Sequence, residues 1–432
     1  MYNSPMRTLA AILLGRAVSY LTKLFRFGGG SAAPGLFALK IDPGLVAKLS
    51  QRIPKNIIIT GTNGKTTTAR MLAHFTKANG LKVIRNHTGS NLERGIASTL
   101  ISHYTLNPRP YTLDLGIWEL DEAAFNAVAP KLNPDIIVFL NVFRDQLDRY
   151  GEIDTVVKHW CQTLKNIPTK TQVLINGDDA NILKLASCFK GKVQKFGVKD
   201  YKILGESIGH LKEKGDLDFE AKNVKLNGLN GSSFSLSFNR QSSVIRLPVP
   251  GIYHIYDALA ALACATHLNL PVCRLSNALK TFSPAFGRVE KLPFGYIFLI
   301  KNPAGAIQVF ETLAPNIKPE DRLLLALNDN IADGTDVSWI WDGEFEKCRV
   351  QSAKCRVFVS GSRAYDLAVR LKYAEFNPKQ IIVEPDLEKA FKQARVGLKG
   401  RLFILPTYTA MLELQSILTK SGLKKQYWEE EN

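Results

Sequence analysis

The sequence predicts an α/β protein with two sheet-bearing parts. One is a central domain with a parallel sheet built around a phosphate-binding loop, and the other is a C-terminal Rossmann-like α/β domain. Three observations predict it. Short apolar runs bounded by turn residues alternate with helical stretches through about residue 190, as strands buried on both faces do. The run Ile57-Ile58-Ile59 leads into the glycine-rich hexapeptide GTNGKT at 61–66 and then a helix-like stretch from Thr67 to Lys77. Near the end, RLLLALN, RVFVSG, QIIVEP and RLFILP read as four more strands, three of them followed by helical segments. At 432 residues the chain is too long for one core and suggests two or three domains.

In order along the chain, residues 6–27 mix apolar residues with Arg7, Arg16, Lys23 and Arg26 and contain no acid. Arg16 interrupts the apolar core that a signal peptide needs; a basic amphipathic helix lying on a membrane fits, and so does a helix packed on the protein's own core. No run approaches the roughly 18 apolar residues of a membrane span. Gly28 to Gly30 read as a hinge, giving an N-terminal segment over 1–50. In the central domain, 51–285, LKVIR (81–85), DIIVFL (135–140) and QVLINGDD (172–179) read as buried parallel strands. From 201 to 247 short alternating runs such as SSFSLSF, with Asn-Gly turns, favour hairpins. A helix over 253–268 returns to the sheet, and 283–287 reads as the linker to the last domain, 286–432.

A net charge of +17 draws a protein to phosphates, nucleic acid or an anionic membrane, or serves as a solubilising surface. With no interleaved aromatic and basic pattern, zinc finger or recognition helix, nucleic acid is not expected as a partner. The six cysteines, at 161, 188, 264, 273, 348 and 355, form no CxxC pair. They read as reduced, cytosolic and mostly buried, with no zinc site.

GTNGKT carries the clearest chemistry. The backbone of Gly61, Thr62, Asn63 and Gly64 forms the turn, and the helix N-terminus at Lys65, Thr66 and Thr67 faces the anion. Lys65 is placed for the β/γ-phosphates and the Thr66 hydroxyl for Mg²⁺. The full Walker pattern needs glycine at position 59, which is Ile59 here, so this is a shortened loop; Gly-Lys-Thr alone also occurs in surface turns. Glu119 in IWELDEA sits at a strand end facing that loop, where a carboxylate takes Mg²⁺; a helix-capping acid is the other reading, and it also fits Asp121 and Glu122. The densest acidic group, Asp329, Asp333, Asp336 and Asp342, follows the strand RLLLALN, at the kind of strand end where α/β sites form. Taken alone it fits a solvated turn or a cation loop, though not an EF-hand. No cysteine has flanking glycines and no histidine lies beyond His267. A Cys-His nucleophile pair built in the last domain is therefore excluded.

The motifs together resemble the Mur ligase family, and within it the MurT family, the ATP-using subunits of lipid II isoglutaminyl synthase. The resemblance rests on GTNGKTT, on GGGSAAPGLFALKIDPGL (28–45), NHTGSNLERGI (86–96), NVFRDQLDRYGEID (141–154), FGRVE (286–290), KNPAG (301–305) and NDNIADGTDVSWIWD (328–342). It implies ATP and Mg²⁺, with Glu119 on the metal and Ser90 in a second metal or substrate loop beside Asn91. Arg288 is implied on the phosphates and His254 near the base or ribose, although His254 also fits a purely structural role. In GIYHIYD (251–257) His254 and Asp257 replace the family asparagines, Phe298 stands where Mur ligases place a ribose-binding aspartate, and Gln146 where they have a metal-binding histidine. Trp160 takes the place of the family's carbamylated lysine, and Lys158 is given no role. No zinc ribbon is expected.

The resemblance further implies a GatD-like glutaminase partner whose triad is completed by Asp336, with Asp333 second. It implies lipid II as the substrate and a cytoplasmic protein, peripheral at the inner face of the membrane. The expected chemistry is amidation of a D-glutamate carboxylate through an acyl phosphate. The alternatives are an amino acid ligase of Mur or folylpolyglutamate type and a nucleotide-binding assembly subunit without chemistry.

Overall fold

The computed structural model describes residues 5–24, 32–86, 90–104, 113–143, 153–199, 216–284, 288–348 and 355–423; of Lys23 and Arg288 it describes the backbone only. The hinge glycines 28–30, the DQLDRYG segment with Gln146, and residues 201–215 and 285–287 therefore lie outside the described residues.

The central sheet grows from β1 (Lys55–Thr60). Its neighbours are β3 (Leu115–Leu120) and β4 (Ile136–Phe139), both parallel to it. Parallel strands β2 (Val83–Arg85), β5 (Gln172–Asn176) and β6 (Val193–Val198) extend it, and β7 (Phe219–Leu226), β8 (Ser232–Phe238) and β9 (Gln241–Leu247) complete the order β2-β3-β1-β4-β5-β6-β7-β8-β9. Successive residues of a strand face opposite ways. Ile57 and Ile59 enter the core on one face and Ile58 the core on the other. Both faces are covered, so the strands read as unbroken apolar runs. The β7–β8–β9 end is antiparallel, which accounts for its alternating texture.

One face is covered by α4 (Lys65–Ala78) with two later helices, over Ile252–His267 and Val272–Leu279. The other carries α5 (Glu93–His103), α6 (Glu122–Leu132) and α7 (Ile153–Leu164). The N-terminal helices α1 (Pro5–Leu24), α2 (Ala33–Ile41) and α3 (Leu45–Ser50) belong to this second layer, with Ala11, Ile12, Ala38 and Val46 in the same core as Ile96 and Leu100. α2 rides directly on α5: Gly35 donates its N–H to Ser98 Oγ at 2.8 Å, and a Cβ on Gly35 would meet Arg94 O at 1.9 Å.

After α8 (Ala180–Leu183), α9 (Ile252–His267) and α10 (Val272–Leu279), the chain forms a second sheet. Its strands are β10 (Arg288–Leu292), β11 (Gly295–Phe298), β12 (Arg322–Ala326), β13 (Arg356–Ser360), β14 (Ile381–Val383) and β15 (Leu402–Pro406), in the order β10-β11-β15-β12-β13-β14. All but β10 run parallel. Helices α11 (Pro303–Leu313), α12 (Ala364–Tyr373), α13 (Leu387–Arg395) and α14 (Tyr408–Lys420) cover its two faces.

One expectation is corrected. Cys161 and Cys188 are disulfide-bonded, whereas all six cysteines had read as reduced thiols. Cys161 in α7 and the turn after α8 lie side by side, their Cα atoms 5.1 Å apart across 27 positions, a proximity that no spacing pattern reveals. Cys264, Cys348 and Cys355 are buried free thiols and Cys273 is exposed.

Candidate functional site

The phosphate-binding turn is held at the end of β1 by the neighbouring strand β4. Thr62 N–H donates to Asn141 O at 3.0 Å, Asn63 N–H to Asn141 Oδ1 at 2.8 Å, and Asn141 Nδ2 back to Asn63 O at 3.0 Å. Phe143 N–H donates to Thr62 Oγ1 at 3.0 Å. Gly64 is left-handed, at φ +91°, and a Cβ there would lie 2.2 Å from Asp257 Oδ1, so only glycine serves. α4 starts at the next residue, and its first-turn N–H groups at Lys65, Thr66 and Thr67 have no acceptor within the helix. Those amides and the helix dipole suit an anion.

Lys65 is buried, and its ammonium bends over the turn. It donates to Gly61 O and to Thr62 O (3.2 Å) and stands 3.7 Å from Glu122 and 3.9 Å from Asp121. Thr66 Oγ1 donates to Glu119 Oε2 at 2.7 Å, because the parallel register sets Ile59 beside Glu119. Glu119 is fully buried, with Arg85 Nη1 4.0 Å from its other oxygen. Asn86 grips the Glu119 backbone from both sides, accepting from its N–H at 2.8 Å and donating to its carbonyl at 2.9 Å. The same amide donates to the carbonyl of buried Ser90 at 3.1 Å, so the second loop is tied to the Glu119 strand end.

A hydroxyl and a carboxylate converging on one point are hard oxygen donors, which fit Mg²⁺ held by few protein groups and completed by phosphates and water. Among the described residues no group of three or more His, Cys, Asp or Glu forms a metal cage. The pair fits an ion carried on the phosphates of a nucleotide.

The opposite wall is the N-terminus of α9. His254 is buried, and its Nδ1 lies 2.7 Å from Pro250 O. A carbonyl only accepts, so that nitrogen carries the hydrogen and a neutral ring keeps Nε2 as an acceptor. Its ring lies 4.2 Å from that of Tyr253, and both line the cleft. Asp257 Oδ1 accepts from Thr68 Oγ1 at 3.4 Å. The end of β5 adds Asp179, which accepts from Val142, Asn181 and Ile182 N–H groups at 2.9–3.1 Å. Burial pushes its carboxyl up to about 6 against the pull of those three donors.

The C-terminal domain closes the cleft, whose volume is about 950 Å³ including the part open to solvent, with Val289, Phe298, Lys301, Gln308 and Val309. Phe298 thus puts an aromatic wall into the cleft. Lys301 Nζ reaches Thr62 O at 3.4 Å. Asn302 exchanges two amide hydrogen bonds with Asn63, at 3.3 and 3.1 Å, while its Oδ1 caps α11 through Gly305 N–H at 2.8 Å. Arg288 opens β10 and its side chain lies outside the described residues. Trp160 is buried, and its indole donates to Glu122 O at 2.9 Å, whereas Lys158 is exposed.

The acidic loop lies at the C-terminal end of the second sheet, where Asp333 and Asp336 diverge. Asp333 is buried and accepts from Thr409 N–H (2.8 Å) and Thr409 Oγ1, pinning the start of α14; burial raises its pKa. Asp336 is exposed and accepts from Ser338 N–H at 2.8 Å. Asp329 pairs with Arg363 at 3.4 Å. Trp341, stacked edge-on to Tyr373 at 5.5 Å, follows the loop, and Tyr365, Val369 and Tyr373 stand exposed on one face of α12.

Asn141, Asn302, Asn86 and Asp179 were given no role from the sequence. For Asn141 the signal available was a polar residue directly after an apolar strand run, FLNVF; Asn86, Asp179 and Asn302 follow other polar residues or a turn and carry no such signal.

Residues 59–265 match the Mur ligase middle domain, and residues 299–411 match the MurT ligase C-terminal domain. Among relatives, the protein named lipid II isoglutaminyl synthase (glutamine-hydrolyzing) subunit MurT of Staphylococcus aureus (strain COL) is 31% identical over 423 residues, 91% of this chain and 93% of that protein. The protein of the same name from Streptococcus pneumoniae (strain ATCC BAA-255 / R6) is 31% identical over 448 residues, 96% of this chain and 97% of that one. Folylpolyglutamate synthase of Mycobacterium tuberculosis, complexed with ADP, shares the fold at a TM-score of 0.66 and 16% identity, over 97% of this chain and 99% of that one. With two family domains in order and identity running the length of both relatives, the chain belongs to the MurT family of Mur ligase-like proteins.

Proposed function

We propose that the chain is the ATP-using subunit of a lipid II isoglutaminyl synthase, an ATP-dependent carbon–nitrogen ligase. It converts the α-carboxylate of D-glutamate in the lipid II stem peptide to an amide. The observation that carries this reading is the Lys65, Thr66 and Glu119 group at the end of β1, in a chain similar over more than nine-tenths of its length (91% and 96%) to two proteins of that name. An oxygen of the substrate carboxylate attacks the γ-phosphorus of ATP and ADP leaves. Ammonia then adds to the carbonyl carbon of the acyl phosphate, phosphate departs, and a proton is lost to give the amide.

The chain's own work is positioning and charge. Lys65 and the first-turn amides of α4 hold the transferring phosphoryl group, and Arg288 adds a forked cation. Thr66 and Glu119 hold Mg²⁺, which supplies charge neutralisation when bound. Ser90, through the loop tied to Asn86, borders the acceptor side. Tyr253, His254 and Phe298 form the wall for the base and ribose. Trp160, buried where a carbamylated lysine would sit, favours ammonia over an amino acid as the incoming nucleophile.

Ammonia comes from a GatD-like glutaminase docked at the end of the second sheet. Asp336 faces outward there and orients a histidine of that partner, while the oxygens of Asp333 are engaged by Thr409. Exposed Trp341, Tyr365 and Tyr373 are anchors of the kind that interfaces use. The pair works in the cytoplasm, peripheral at the inner face of the membrane. Among the described residues no helix is long and apolar enough to cross a membrane.

Mass spectrometry of lipid II incubated with the chain, Mg²⁺·ATP and an ammonium salt tests the reading. ATP-dependent conversion of one carboxyl to an amide is expected. Bound but unspent ATP points to an assembly subunit, and product only with an added amino acid points to a peptide ligase.

A further inference from the structure

Helix α1 is amphipathic in an unusual sense, because its solvent-facing positions are mostly apolar. Between Met6 and Leu24 the exposed positions are Met6, Arg7, Leu9, Ala10, Leu13, Leu14, Ala17, Tyr20, Leu21 and Leu24. Spaced by three and four, all but Arg7 lie in one stripe along the helix. Met6 is 78%, Leu13 51%, Tyr20 68% and Leu24 61% exposed. The opposite side of the helix carries Ala11 and Ile12 into the core, while Thr8 donates to Asp42 at 2.7 Å and Arg16 donates to Tyr104 O. The protein's own core therefore already has its face of α1, and a second apolar face about 30 Å long remains. Soluble surfaces rarely leave so continuous an apolar stripe without an occupant.

We infer that this face of α1 docks on an anionic lipid bilayer, lying in the interface rather than crossing it. Charge selects this occupant. Neither α1 nor α2 contains an acid, and Arg7 and Lys40 are exposed cations on them, with Lys40 5.6 Å over the Phe37 ring. α2 adds exposed Leu36 and Phe37. Apolar side chains enter the acyl boundary while the cations meet headgroup phosphates. A second copy, also at net charge +17, is opposed by that charge. The position also suits the chemistry, since α1 and α2 rest on α5, which starts directly after the loop that holds Glu119. This docking face rests on the proposed function, in which the acceptor is lipid-linked.

The test is sedimentation of the full chain with phosphatidylcholine vesicles and with mixed phosphatidylcholine–phosphatidylglycerol vesicles, neither containing lipid II. Wild type should sediment with the mixed vesicles and far less with the neutral ones. Leu13→Glu and Leu21→Glu should each weaken binding about tenfold or more, since each withdraws a leucine from the interface and adds a carboxylate there. Val396→Glu, at an exposed apolar position in the other domain, should bind as wild type. Unchanged binding in both leucine variants overturns the inference. So does a wild-type chain that ignores anionic vesicles, including one that dimerises by light scattering and becomes monomeric with Leu13→Glu. Amidation of detergent-solubilised lipid II separates the two proposals. Product in detergent with no vesicle binding removes the docking face alone, and vesicle binding with no product removes the function alone.

Discussion

Replacing Asn302 by alanine should show how tightly the phosphate-binding turn depends on the second domain. The side chain does two jobs. Its Oδ1 accepts from Gly305 N–H as the cap of α11, and its amide exchanges two hydrogen bonds with Asn63 in the turn. Loss of a cap costs about 1 kcal/mol. Each net hydrogen bond adds about 1 kcal/mol. The expected total for Asn302→Ala is therefore about 3 kcal/mol. Asn302→Asp keeps the cap and the acceptor for Asn63 Nδ2 but loses the donor, and should cost about 1 kcal/mol. In a double-mutant cycle, Asn63→Ala with Asn302→Ala should show a coupling of about 2 kcal/mol, because each single change already removes the shared pair. The assay is urea unfolding followed by tryptophan fluorescence, with KM for ATP measured alongside. The indoles of Trp118 and Trp160 report on the first sheet and those of Trp339 and Trp341 on the second. Additivity within about 0.5 kcal/mol would refute the reasoning and leave Asn302 as a helix cap only.

Lys65→Ala should lower ATP turnover at least about a hundredfold, as loss of a charge-stabilising donor does; wild-type turnover would remove the phosphate-loop assignment. Asp336→Asn should abolish glutamine-driven amidation and spare ammonia-driven amidation, whereas equal loss of both would move Asp336 to the ATP site. Asp179 titrates near 6 in the fold against 3.8 ordinarily, so its stabilising protonation is fully present below about pH 4 and lost as pH rises through 6. The difference in unfolding free energy between wild type and Asp179→Asn, measured from pH 4 to 7, should change by up to about 3 kcal/mol; a flat difference would show an unshifted carboxyl. Reducing the Cys161–Cys188 bond, which closes 27 residues, should cost about 3.5 kcal/mol, read by urea unfolding with and without reductant; no change would show that the bond constrains nothing.

What was legible in the sequence was what local constraints repeat. At 57–77 an apolar run, a glycine-rich turn and a helix start all state one geometry, and the structure has it. The hairpin texture of 216–247 came from one-sided burial, and the continuous runs from burial on both sides. Long-range polar partnership was not legible. Asn141 meets Asn63 across 78 positions and Asn302 meets it across 239, and an asparagine after a strand looks the same whether it caps a turn or clamps a loop. Asp333 and Asp336 show the same limit, for the sequence presents two like acids three residues apart. Only burial and Thr409 distinguish a carboxylate used by the fold from one facing outward.

The turn that would hold phosphate is braced on one side by Asn141 from its own sheet and on the other by Asn302 and Lys301 from the second. A nucleotide in this cleft would touch both domains, so its binding and the seating of the second domain are thermodynamically linked. That same domain carries Asp336 in the loop after the C-terminal end of β12, in the position proposed for contact with the glutaminase. A shift of the second domain on nucleotide binding would therefore carry the proposed partner surface with it, since both belong to that domain. On the proposed function this linkage has a chemical use, since ammonia released before the carboxylate is activated is lost to water. A partner glutaminase should then be faster with Mg²⁺·ATP bound than without it. Asn302→Asp, which weakens the brace while sparing the cap, should shrink that difference. Glutamine hydrolysis indifferent to ATP, or equally ATP-dependent in Asn302→Asp, would break the link at the Asn63–Asn302 pair.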